Sequence, residues 1–199
     1  MKYTMRMKVV AISGLAFFAG CASPQEGRMN RDQVAQMTSA WPMASREAAT
    51  FMIDKYGMPA ATSADMLVWG RTGPWKRTVI YRHEYQHNFP GPHSDVMQQW
   101  IDYKAPPSMY DELAAYDGSV VLERTSGEMS ARCDKEGANF LALNLANDIV
   151  TGKRSVDDAR KAYGEEIMKM KAGRPGPYVT GLLFTPSMGG TGDTDNPVM

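Results

Sequence analysis

Apolar residues recur at helical spacing in two stretches of the chain. Residues 44–56 place Ala48, Phe51 and Met52 on one face, and Gly57 with Pro59 supplies a stop signal after them. Residues 155–170 repeat the pattern with Ala159, Tyr163 and Ile167. Each pattern predicts an amphipathic helix that buries one face.

A third helical pattern is longer and more apolar. Thr125 and Glu128 have capping-box spacing at its start, and Gly152 follows its end at Thr151. Apolar residues between Phe140 and Val150 cover much of the helix circumference. The pattern predicts a long, mostly buried central helix over residues 125–151.

Strand patterns alternate with these helices. Residues 66–69 and 75–85 are rich in β-branched and aromatic residues and flank a loop that contains Gly70, Gly73 and Pro74, which predicts a hairpin. Prolines interrupt residues 88–107, within which residues 95–103 are predicted to form a short helix. The remaining predictions are a short helix at 108–115, a strand at 120–123 and an edge strand at 178–184.

These elements predict one compact α+β domain over residues 43–185, built from a β-hairpin, a long buried central helix and flanking helices. Residues 21–42 are polar and aperiodic, which is typical of a flexible tether. Residues 186–199 are rich in Gly, Thr, Asp and Asn, which predicts a disordered tail.

The N-terminus has the organisation of an export signal. Lys2, Arg6 and Lys8 precede an uncharged apolar stretch at residues 9–20. About a dozen residues are too few for a permanent membrane span, which needs roughly 20. Residues 1–20 are therefore interpreted as a signal peptide that is removed.

The segment Phe18-Ala19-Gly20-Cys21 resembles the lipobox of bacterial lipoproteins, although Phe18 stands where that motif usually has Leu. The resemblance implies that Cys21 carries fatty acyl groups such as palmitate and becomes the new N-terminus. Ala22 then implies the outer membrane, facing the periplasm, in a Gram-negative cell. A plain secretory signal followed by a buried Cys21 is the alternative.

The charge of the mature chain limits its possible partners, and its cysteine content limits its possible disulfides. Removal of residues 1–20 leaves 19 basic and 22 acidic side chains, so nucleic acid is not an expected partner. Once Cys21 is lipidated, Cys133 is the only remaining thiol, and no intramolecular disulfide is possible. We expect Cys133 to be a small buried apolar side chain rather than a reactive thiol.

The segment His83-Glu84-Tyr85-Gln86-His87 matches the HExxH pattern of zinc metallopeptidases. On a helix, His83 and His87 share a face and bind Zn²⁺, while Glu84 acts as general base toward the bound water. His93 lies ten residues after His83 and is the candidate third ligand, and the chain contains only these three histidines. This pattern predicts a zinc-dependent hydrolase.

The residues just before the motif favour a different structure. Residues 78–81 are β-branched and aromatic, which is typical of a strand. In a strand, His83 and His87 are roughly 13 Å apart at about 3.3 Å per residue, too far to share one ion. The secondary structure of residues 79–87 therefore decides between the two interpretations.

A second resemblance covers most of the predicted domain. The segments Lys55-Tyr56-Gly57, His87 to Asp95, Arg124 to Asp134 and Asn139 to Ala146 are similar to those of a family of uncharacterised bacterial envelope proteins. The pattern includes His87, His93 and Asp95 but not His83 or Glu84. It implies no activity, although a loop with these three residues can bind a metal without catalysis.

Other polar residues are first interpreted structurally. Glu128, Arg132, Lys135 and Asn139 form one stripe of the predicted long helix, which is typical of a solvated face. Asn144 lies in an apolar run and needs hydrogen-bond partners if it is buried. We expect it to fix helix packing; lining a pocket with His87, His93 and Asp95 is the alternative.

Two functional hypotheses follow from the sequence. The first is a non-catalytic envelope lipoprotein that is held to the membrane by the Cys21 lipid, binds an unknown envelope protein or small ligand, and needs no cofactor. The second is a lipid-anchored zinc peptidase with His83, His87 and His93 as ligands and Glu84 as base.

Overall fold

Five α-helices, two short 3₁₀ helices and six strands lie within residues 29–199, the part of the chain that the computed structural model describes. The signal peptide and the Cys21 lipobox lie outside the described residues. The helices are α1 Arg31–Thr38, α2 Met43–Tyr56, α3 Tyr110–Tyr116, α4 Glu136–Val150 and α5 Val156–Lys171. The strands are β1 Ala61–Thr62, β2 Met66–Trp69, β3 Arg77–His87, β4 His93–Asp102, β5 Val121–Glu123 and β6 Glu128–Cys133.

The strands form one antiparallel sheet in the order β1-β2-β3-β4-β6-β5. Helices α2 and α4 both pack on the face of the sheet that carries Gln99, whose side chain contacts Met52 of α2 and Glu136 of α4. The architecture is therefore a sheet with helices on one face, which confirms the predicted α+β class.

Several predicted elements are confirmed nearly at their predicted bounds. Helix α2 ends where Gly57 adopts a positive φ of 82°, the backbone region that glycine enters most readily. Strands β2 and β3 pair antiparallel as the predicted hairpin. Helix α5 begins after Ser155, whose hydroxyl accepts a hydrogen bond from the Asp158 amide.

The predicted helix at residues 95–103 is wrong, because this segment is most of strand β4. Val96 and Met97 are both fully buried, as are Gln99 and Ile101. Burial alternates from Met97 to Ile101, but the buried face includes the polar Gln99 and the other face includes the apolar Trp100. The sequence therefore does not show the period of a strand, and its apolar residues imitate helical spacing.

The prediction of a long helix over residues 125–151 is correct only in its second part, since residues 128–133 are strand β6 and α4 begins at Glu136. Thr125 and Glu128 do not form a capping box. The Thr125 and Ser126 amides donate to the Glu123 carboxylate in a tight turn, which Gly127 closes with a φ of 61°.

The predicted solvated stripe is also wrong. Glu128 is buried and forms ion pairs with Lys76 and Arg77 on the sheet. Burial acts to raise the pKa of Glu128, but Arg77 and Lys76 outweigh it and lower that pKa. Asn139 is fully buried and donates to the Gln99 side chain at 3.0 Å.

Residues 178–184 do not form the predicted edge strand. A short 3₁₀ helix spans Pro177–Val179, and the chain then follows α4 because Asn144 holds it there. The Asn144 amide donates to the carbonyls of Tyr178 and Gly181, at 2.9 and 2.8 Å, and its oxygen accepts from the Leu183 amide. Asn144 therefore fixes packing, as expected.

Both ends of the domain extend further than the sequence indicates. Helix α1 lies within the segment predicted to be a tether, and Val34 and Trp41 are buried against α2 and the sheet. In the tail predicted to be disordered, the Thr191 hydroxyl donates to the Gly127 carbonyl at 2.6 Å. None of the helices in residues 29–199 combines the length and apolar character needed to cross a membrane.

Two apolar clusters make up the core. One joins α3, α4 and α5 to Ile101 and Met129 of the sheet, and the other joins α1 and α2 to β2, β3 and β4. Glu136, in the first turn of α4, lies where the clusters meet and is buried. Its carboxylate accepts from Lys55, from Tyr56 at 2.7 Å and from the Trp75 indole at 2.8 Å.

We predict that Glu136→Ala lowers the free energy of unfolding by about 3 kcal/mol, because it leaves buried donors without an acceptor. Glu136→Gln, which keeps one acceptor oxygen, should cost less. The measurement is urea unfolding followed by circular dichroism. Asp54→Ala is the matched control: Asp54 pairs with Arg31 at an exposed site, so its loss should change stability by less than about 1 kcal/mol. Equal effects at positions 136 and 54 would contradict the prediction.

Candidate metal centre

Three side chains with metal-binding atoms meet where β3 ends and β4 begins. His87 is the last residue of β3 and lies directly opposite His93, the first residue of β4. Asp95 follows two positions later, so its side chain lies on the same side of β4 as that of His93. One ligand atom from each of the three residues lies within 4.8 Å of the others.

His93 and Asp95 face each other through atoms that have no hydrogen-bond partner. His93 Nε2 lies 3.1 Å from Asp95 Oδ1, but the two atoms do not have hydrogen-bond geometry, and both are buried. The other ring nitrogen, Nδ1, lies 2.9 Å from the Gly91 carbonyl, which can only accept, so Nδ1 carries a proton. In the neutral ring, Nε2 therefore directs a lone pair toward a buried carboxylate that is 1% exposed.

A proton on His93 Nε2 would bind Asp95 Oδ1, and this interaction stabilises the charged form of the ring. Asp95, and after it Cys133, raises the pKa of His93 to about 11. A cation is therefore favoured between these atoms, either as a proton on Nε2 or as a metal ion that replaces it.

The segment after α3 supports the cluster from the opposite side. The Ser119 hydroxyl donates to Asp95 Oδ2 and lies 3.3 Å from His87 Nδ1. Asp117 Oδ1 accepts from the Ser119 amide and lies 3.7 Å from His87 Nε2. Both residues are buried, and they orient His87 and Asp95 as the outer partners of metal ligands commonly do.

Ser119, His87 and Asp117 also resemble the residue types of a nucleophilic triad, but their contacts do not support that chemistry. The Ser119 hydroxyl gives its proton to Asp95 rather than to His87. Burial raises the pKa of Asp117, which weakens it as a partner for an imidazolium. Ser119 is therefore best described as a positioning residue.

Arg132 adds positive charge at the edge of the cluster. Its Nε lies 3.8 Å from Asp95 Oδ2, and its guanidinium stacks 4.2 Å from the ring centre of Tyr85. The buried carboxylate of Asp95 thus has two histidines and one arginine near it.

The prediction that residues 83–87 form a zinc-binding HExxH helix is wrong, because these residues belong to strand β3. His83 and Glu84 lie within β3, and residues 83–87 do not form the helix that would place His83 and His87 on one ion. His83 is exposed and contacts the Tyr85 ring edge-on. The predicted three-histidine set therefore loses His83, and Glu84 does not join His87, His93 and Asp95.

The sequence pattern with His87, His93 and Asp95 does identify the three residues that meet. Asp117 and Ser119 were not identified from the sequence. Their only sequence signal is a turn at Asp117-Gly118, and nothing local to the chain indicates that α3 brings this turn to His87.

Comparisons of the chain with protein-family models, with curated proteins and with solved structures give no match.

Cys133 lies beside His93 and is buried, in agreement with the expectation for its thiol, although it lies on β6 rather than on a helix. Burial raises its pKa, so little thiolate forms at pH 8.

In the Cys21→Ser chain, where it is the only thiol, we predict that Cys133 reacts with a thiol reagent at least roughly 100-fold more slowly in the folded than in the denatured protein. Rapid reaction of the folded chain would show that the thiol is accessible.

Proposed function

We propose that this protein is a lipid-anchored bacterial envelope protein whose domain binds a divalent transition metal ion through His87, His93 and Asp95, without catalysis. The observation that carries the metal site is the cluster of His87, His93 and Asp95, whose ligand atoms lie within 4.8 Å of one another and include the buried pair His93 Nε2 and Asp95 Oδ1, 3.1 Å apart without hydrogen-bond geometry. Buried polar atoms without partners are rare, and at a cluster of ligand side chains they favour a bound ion.

The donor set indicates the class of ion. Two imidazole nitrogens and one carboxylate oxygen are typical of zinc and other first-row transition metals rather than of Ca²⁺ or Mg²⁺. The ligand atoms of tetrahedral zinc lie about 3.4 Å apart, given metal–ligand distances near 2.1 Å. Because the three atoms already lie within 4.8 Å, a small movement of the turn between β3 and β4 brings them to that spacing.

Binding is proposed rather than hydrolysis because the base of the HExxH motif is not at the cluster. Glu84 belongs to the strand segment before His87, and the Ser119 hydroxyl donates its hydrogen bond to Asp95. The support for an envelope location comes from the sequence: the signal at residues 1–20, the lipobox at Cys21, and the similarity to envelope proteins around His87, His93 and Asp95.

Zinc binding tests the ligand set. In the mature chain with Cys21→Ser, we predict about one zinc per molecule by elemental analysis. His87→Ala and His93→Ala should each lower zinc affinity by at least about 100-fold, because each removes a direct ligand.

His83→Ala and Glu84→Gln are the matched controls, since they alter the HExxH motif but not the cluster. Both should retain zinc at the level of the parent chain. If His83→Ala loses zinc, the ligand set is wrong, and if the parent chain takes up no zinc after reconstitution, the metal proposal fails. Circular dichroism of each variant separates the loss of a ligand from the loss of the fold.

The lipid anchor is tested in cells. We predict that the protein incorporates a palmitate analogue and sediments with membranes, and that Cys21→Ser abolishes both properties because the acylated thiol is lost. Cys133→Ala is the matched control and should leave labelling unchanged, since Cys133 is buried in the domain. Labelling that persists in Cys21→Ser would contradict lipidation at Cys21.

A further inference from the structure

A cavity of about 430 Å³ adjoins the metal cluster. It lies between α5 and the turn that joins β3 to β4, and Cys133 and Ala138 line it as well. His93 is part of both the cavity wall and the candidate metal centre. A molecule in the cavity therefore lies against His93, one of the proposed metal ligands.

Tyr163 lines this cavity with a hydroxyl that has no protein partner. The residue is 3% exposed, yet its hydroxyl makes no hydrogen bond within the part of the chain that the structure describes. Burial, and then the nearby Cys133 and Asp117, raises the pKa of Tyr163, so the hydroxyl keeps its proton. The hydroxyl is therefore a donor available to a group that accepts a hydrogen bond.

The rest of the cavity is largely apolar. Ile167 and Met170 of α5 form one wall, and Pro90 and Pro92 of the turn lie across from them. Lys171 lies at the exposed edge and forms no ion pair within residues 29–199, whereas Asp134, which also lines the cavity, is paired with Lys135. The cavity thus offers the Tyr163 donor, apolar walls and a net positive charge among the charged residues that line it, and its volume is within the range of small-molecule sites.

We propose that this cavity binds a small carboxylic acid with an apolar body, whose carboxylate binds the metal ion and accepts a hydrogen bond from Tyr163. The inference rests on the proposed metal site, because three protein ligands leave one position open on four-coordinate zinc. Without the ion, Asp95 and Asp117 would repel a carboxylate at this end. The apolar body lies between Ile167 and Pro92.

The test uses octanoate as the probe and the zinc-loaded mature chain with Cys21→Ser, followed by titration calorimetry. Octanoate should bind, whereas octylamine, which has the same chain and the opposite charge, should not. Tyr163→Phe keeps the ring and its contact with Phe89, so it should weaken octanoate binding roughly tenfold without a change in zinc content. Ile167→Trp fills the cavity and should abolish octanoate binding while zinc remains.

Tyr110→Phe is the matched control, since Tyr110 lines a different cavity, and it should bind octanoate like the parent chain. If the parent chain binds zinc but not octanoate, or if Tyr163→Phe and Ile167→Trp bind octanoate as the parent does, the cavity proposal is overturned and the metal site stands. If the parent chain binds no zinc, both proposals fail. Equal binding of octanoate with and without zinc would also overturn the proposal that the carboxylate of the ligand binds the metal ion.

Discussion

The fold depends on one buried carboxylate. Glu136 begins α4 at the junction of the two apolar clusters, and its oxygens accept from α2 and from the indole of Trp75. A carboxylate without these donors would be costly to bury, and without the carboxylate the buried Trp75 indole would have no acceptor. This mutual requirement fixes α2 and α4 on the same face of the sheet, and Gln99 and Asn139 continue the polar chain between strand and helix.

Sequence patterns predict the elements whose burial is one-sided. Helix α2, the β2–β3 hairpin and α5 each have a solvated side, so their apolar residues reveal the period of the backbone. The pattern of strand β4 instead predicts a helix, because the polar Gln99 lies on the buried face and the apolar Trp100 on the other, so polar and apolar residues do not alternate. Strand β6 was assigned to the long helix because Glu128 looks like a capping residue until its partners on β3 are known.

The candidate site was only partly predictable for a related reason. His87, His93 and Asp95 are close in sequence and are joined by one turn, so local patterns identify them. Asp117 and Ser119 reach the same place only because α3 packs on α4 and α5, a tertiary arrangement that no local pattern encodes. The HExxH match fails because spacing along a chain has a chemical meaning only once the backbone period is known: the same five residues are adjacent on a helix and spread out along a strand.

The contacts of Glu136 also determine when the domain can fold. Lys55 and Tyr56 precede their acceptor by 81 and 80 positions, and Trp75 precedes it by 61. As the chain emerges from a ribosome, α2 is complete long before Glu136 appears, and its polar groups have only water to bind. Non-local contacts of this kind delay the closure of the core until most of the chain is present. The incomplete chain consequently has no closed core until the first turn of α4 has been made.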